Sequence, residues 1–87
     1  MLHSKFSTSF DPQERSVTIN IEHQINGERN FFSPTFYFDE KDKLKILGQR
    51  KETFKYLARH IKSKSKDFKQ YLEDSFLRER SYEKLPF

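Results

Sequence analysis

The chain has 87 residues, with 17 Lys and Arg against 13 Asp and Glu, 10 Phe, no Cys and no Trp. That length makes one domain with a core barely large enough to stand alone, and 33% apolar against 34% charged residues leave little to build it from. Without Cys there is no disulfide framework, thiolate zinc site or cysteine nucleophile, and no run approaches the roughly 18 apolar residues of a membrane-spanning helix.

Leu, Ile, Val and Phe still make up 23 of 87 residues, above the roughly 20% that signals disorder. Phe replaces the nearly absent Val and Ala in the expected core. The first residues, Met1 to Phe6, contain no apolar stretch of the secretory kind. With the absence of Cys, this points to a cytoplasmic protein with no membrane partner. Charge is unevenly distributed. Residues 1–40 carry net −3, residues 41–69 net +8 and residues 70–87 net −1, so the basicity belongs to one segment.

The expected fold class is α+β: an antiparallel meander of three strands, with a fourth as an option, followed by one long or two shorter helices packed on one sheet face. The single domain divides into a meander over 1–47, a helical region over 48–81 and a tail over 82–87. In the first strand (4–10), Phe6, Thr8 and Phe10 alternate up to Asp11-Pro12-Gln13-Glu14, a type I turn pattern. A four-residue loop there sets Phe10 opposite Arg15 and Phe6 opposite Ile19. The second strand (15–25) places Val17, Ile19, Ile21, His23 and Ile25 on one face at period two. It ends at Asn26-Gly27, whose residues suit the two positive φ angles of a type I′ turn.

That turn opposes Ile25 to Glu28, Ile21 to Phe32 and Val17 to Phe36 along a third strand (28–38). Pro34 has no N–H for a ladder, so the strand should lie at an edge or bulge there. Two turn readings agree on the buried face, which is stronger than either alone. After the polar turn Asp39–Asp42, Lys43 to Leu47 can add a short strand.

From about 50 to 80 the pattern is helical. Phe54, Leu57, Ala58, Ile61, Phe68, Leu72 and Phe76 fall in a roughly 100° arc, and Lys51, Lys55, Arg59, Lys62, Lys66 and Lys69 in one of roughly 80°. Both stripes keep phase across Ser63-Lys64-Ser65, which favours one helix of about 45 Å. Strands of eight to ten residues span only about 27–34 Å. Leu72, Phe76 and Leu77 then need another partner: a second copy as homodimer, a fold-back at Ser63–Ser65, or a target protein.

Catalytic motifs are missing. His3, His23 and His60 share no metal-ligand spacing, and no nucleophile elbow, zinc-protease helix or phosphate-cradling glycine loop occurs. Glu22 and His23, with Arg29 nearby, resemble an acid–base pair, but adjacent strand residues point to opposite faces. His23 is expected to pack inward and His60 to be solvated. No enzyme, metal, cofactor or small-molecule substrate is expected.

The sharpest feature is the ladder of Lys51, Lys55, Arg59, Lys62, Lys66 and Lys69, about 27 Å long on a continuous helix. Five of the six are Lys, a point charge suited to phosphate backbone rather than base edges. The first functional expectation is a nucleic-acid-binding module. The second is a protein-binding regulator or inhibitor of a nucleic-acid-processing protein, of a size and composition that suit a phage or mobile-element accessory protein. Its contacts would be Phe31 and Tyr37 on the outer, hydroxyl-rich sheet face, Leu72 and Phe76 on the helix, and Phe87 in the tail.

Overall fold

A computed structural model describes residues 3–83 of the chain. Strands β1 (His3–Asp11), β2 (Ser16–Ile25), β3 (Glu28–Phe32), β4 (Thr35–Phe38) and β5 (Leu44–Lys45) precede helices α1 (Arg50–His60) and α2 (Ser65–Glu83). The antiparallel sheet runs β1-β2-β4-β5, with β3 also paired to β2. The α+β class therefore stands, with five strands and two helices.

Asn26 and Gly27 both have positive φ, 51° and 84°, and the hairpin register follows: Ile25 opposes Glu28, Ile21 opposes Phe32 and Val17 opposes Phe36. Pro34 divides the expected third strand into β3 and β4 without shifting that register. Its carbonyl still accepts the Ile19 N–H at 3.0 Å, so the chain pauses where the donor is missing. β5 adds the short further strand, pairing Tyr37 with Lys45 and Phe38 with Leu44.

The first hairpin differs from its sequence reading by two positions. Phe10 opposes Val17 and Phe6 opposes Ile21, rather than Arg15 and Ile19. Asp11 stays in the strand while its Oδ1 accepts the N–H groups of Gln13 and Glu14, at 3.1 and 3.2 Å. Arg15, at φ 56°, closes the loop in the left-handed region. An even shift preserves the faces, so the inward set survives.

The expected continuous helix is overturned: it breaks at 61–64. Lys62 adopts φ 55°; its N–H bonds to the Arg59 carbonyl at 3.1 Å, and the Ser63 N–H to that of Ala58 at 2.9 Å. This is the Schellman pairing that ends a helix through one left-handed residue. The basic ladder along a single axis is lost with it. The spacing from Phe54 to Phe68 is close to a whole number of helical turns, so the helical phase cannot register the break. A straight helix would hold the two about 21 Å apart; their rings stack at 5.0 Å.

Folding back closes the core. Val17, Ile19, Ile21, Phe36, Phe38 and Leu44 from the sheet meet Phe54, Leu57 and Ala58 of α1 and Phe68, Leu72 and Phe76 of α2. Leu72 and Phe76 are fully buried, so of the three partners expected for them the fold-back at Ser63–Ser65 is the one observed, and they are not contacts for another molecule. Phe76 stacks on Phe38 at 3.9 Å. Phe32, expected in the core, packs edge-on against Tyr56 of α1 at 6.2 Å but lies at the rim of the core and is 40% exposed.

Because Lys62 holds a conformation that costs L-residues about 1–2 kcal/mol, Lys62→Gly should stabilise the protein by about 1 kcal/mol, read as a higher urea midpoint. In a continuous helix the same change would cost about 1 kcal/mol, so the sign of the shift tests the break.

Candidate nucleic-acid interface

Lys51 and Lys55 lie one turn apart on the exposed side of α1, and Lys66 and Lys69 on the first turns of α2. The reversal at 61–64 gathers these four around one cleft of about 260 Å³, with Ile46 and Phe54 in its lining and Ser65 beside them. Arg59 and Lys62 are exposed but do not line it. The structure thus brings together four of the six predicted basic residues.

Two of the four are partly compensated. Lys55 Nζ is 3.6 Å from Glu52, and Lys69 Nζ is 3.5 Å from Glu73. Glu73 is buried, and its Oε2 also accepts the Leu44 N–H at 2.7 Å. The carboxylate therefore ties α2 to β5 and fixes Lys69 at the cleft wall. Lys51 and Lys66 form no ion pair among the described residues. The N-terminal end of α2 adds its partial positive charge, offset by Asp67 in the first turn. The cleft combines an apolar floor with a cationic rim.

Sequence reasoning misses Ile46 and assigns Phe54 only to the core. Alternation from Leu44 is the signal that places Ile46 on the inward side of the chain, next to the lysine stripe.

The expected protein contacts are not assembled into one site. Phe31 is 72% exposed and lines a groove of about 400 Å³ on the outer sheet face with Lys5, Asn20 and Glu22. Tyr37 is also exposed, but lies about 20 Å further along the same line of chain. Leu72 and Phe76 are in the core, and Phe87 lies outside the described residues. On the outer face, Arg29 Nε is 3.7 Å from Glu22 while His23 points inward, as strand alternation requires.

His60 is a second correction. It does not stand in solvent but stacks on His23 with ring centroids 4.9 Å apart and planes within 10°. Tyr56 packs edge-on against it at 4.5 Å. His23 Nδ1 is enclosed without a hydrogen-bond partner. Stacked rings aim their nitrogens within parallel planes, so the pair is a packing contact between β2 and α1 rather than a converging ligand set. Among the described residues no group of three or more His, Cys, Asp and Glu could hold a metal ion, and no helix is long and apolar enough to cross a membrane. No protein-family model, curated protein or solved structure matches the chain.

Burial first, and the charge of His23 second, hold the His60 imidazole below the ordinary histidine value of 6.5. A folded value below the unfolded one means that the native state resists the proton. The contribution is complete above about pH 6.5 and is lost as pH falls. His60→Gln should therefore flatten the decline in urea midpoint between about pH 7.5 and 5.5; an equally steep decline in the variant would assign the acid sensitivity to other groups.

Proposed function

We propose that the protein is a non-enzymatic module that grips the phosphate backbone of nucleic acid through Lys51, Lys55, Lys66 and Lys69. The observation that carries this reading is the convergence of four lysines from two helices on one cleft. A merely solvated lysine face needs no such convergence. Lysines are well suited to phosphate contacts but carry no base code. Phe54 is buried to 2% exposure and presents no free ring for stacking, so recognition rests on backbone charge and is tolerant of sequence. The −3 balance of residues 1–40 supports an electrostatic footprint confined to the helical side.

A second reading, a protein-binding regulator of a nucleic-acid-processing protein, is favoured by exposed Phe31 and the groove beside it. In that reading the lysines occupy part of the partner's nucleic-acid path and Phe31 supplies the anchor.

Affinity for duplex and single-stranded oligonucleotides, measured against salt, separates the two. Each neutralised phosphate contributes about 0.9 to the log–log slope on duplex and about 0.7 on a single strand. Lys51→Gln and Lys66→Gln should each lower the slope by about 1, and Arg59→Gln by less. Absence of binding at about 50 mM salt would overturn the nucleic-acid reading. A single stoichiometric protein partner, captured through nuclease treatment and lost with Phe31→Ser, would establish the second.

A further inference from the structure

β1 pairs with β2 on one side, and no strand among the described residues covers its other side. Such an edge is a template for another chain, and proteins usually blunt it with Pro, a bulge, shortness or several charges. β1 has few of these defences. It runs nine residues in unbroken register with β2, contains no Pro, and has Lys5 and its terminal Asp11 as its charges. On the opposite side of the sheet the open edges are short: β3 is five residues long and begins with Glu28 and Arg29, and β5 has two residues.

The β1 edge is also complementary to itself. Two antiparallel copies in one sheet pair residues of the same face, so their positions must sum to an even number. Centring the pair on Thr8 sets Lys5 opposite Asp11, Phe6 opposite Phe10 and Ser7 opposite Ser9, each twice, with Thr8 opposite itself. Opposite charges, aromatic pairs and hydroxyl pairs are the cross-strand combinations that stabilise a sheet. A pair centred on Ser7 instead sets Lys5 against Ser9 and Phe6 against Thr8, forfeiting the charge and aromatic matches.

The layer beneath fits the same axis. Phe6 packs edge-on against Phe68 at 5.7 Å and Phe10 stacks near Phe76 at 6.4 Å, so α2 runs below β1. Tyr71 is two positions from Glu73, which faces β5, and so lies about 160° away around the helix. It is 49% exposed, on the flank below the open edge.

We infer that a second copy of this chain occupies that edge, joining two sheets through antiparallel β1 strands about a two-fold axis at Thr8. The contact is isologous and closes after two copies, whereas β1 added to β3 would propagate without end.

Sedimentation over a concentration series should give twice the 10.6 kDa chain mass. Ser7→Lys with Ser9→Lys, and separately Ser7→Glu with Ser9→Glu, places like charges opposite each other on the solvent face. Each double variant should sediment at the chain mass with its circular dichroism unchanged, and mixing the two should restore the dimer. The chain has no native Cys, so Thr8→Cys should cross-link to itself on mild oxidation, since facing strand residues approach to about 4.5–5.5 Å between Cα atoms. Ser7→Cys should cross-link only when mixed with Ser9→Cys. A parent protein monomeric to about 1 mM, a dimer that survives both charge variants, failure of Thr8→Cys to cross-link, or a mass that grows without limit would each overturn the inference.

Discussion

A single left-handed residue, Lys62, ends α1 and returns α2 beneath the sheet, and the core and the cleft both follow from that reversal. The conformation costs about 1–2 kcal/mol. Against it, Phe68, Leu72 and Phe76 leave water, each contributing about 1.5–3 kcal/mol. With only 33% apolar residues, leaving the second half of the helical stripe unused would take from β1 and β4 the Phe68 and Phe76 rings that pack on Phe6, Phe10 and Phe38. The same reversal makes neighbours of Lys51 and Lys69, which stand far apart in sequence.

α2 is then held by polar ties along its length. Arg80 near its C-terminal end and Arg15 from the first hairpin loop both donate to Oδ1 of Asp42 in the β4–β5 turn. Both guanidinium groups also lie over the Phe76 ring, at 5.7 and 5.8 Å from its centroid. Earlier along the helix, Glu73 accepts from β5 and pairs with Lys69. Ion pairs open to solvent on one side add little stability, about 0–1 kcal/mol. Their consequence is positional. Apolar packing alone tolerates sliding and rotation, whereas a buried carboxylate that must accept the Leu44 N–H fixes the rotation of α2 and with it the direction of Lys66 and Lys69.

The parts legible in sequence are those governed by local rules. Asn26-Gly27 specifies its own turn and, through it, the distant pairing of Val17 with Phe36. Alternation fixes the inward face of β2. The β1–β2 register slips because Asp11-Pro12 is compatible with loops that start one position apart at each end, and the choice rests on Asp11 capping two N–H groups while Arg15 turns left-handed. The helix break hides for an arithmetical reason: the step from Phe54 to Phe68 is almost a whole number of turns. Lys62 is also an unusual residue for the left-handed position, where Gly or Asn would have announced a stop. His60 meets His23 through tertiary packing, which no spacing within either segment encodes.

The uncovered surfaces are arranged by α2. Glu73 and Lys69 face the β5 side, where the basic cleft opens, and Tyr71 faces the opposite flank, below the free edge of β1. Since β1 and β5 are the two ends of one sheet path, a pair of chains joined at β1 keeps both clefts on its outer flanks. Neither contact competes with the other for surface. Under the proposed backbone-binding reading, two such clefts carried on one rigid sheet would engage a single polymer with the second binding event intramolecular. Avidity of that kind can exceed the affinity of either grip by about 10²–10⁴. On that reading, doubling serves so small a protein better than enlarging the four-lysine cleft, because enlargement would draw on the same few apolar residues that keep α2 in place.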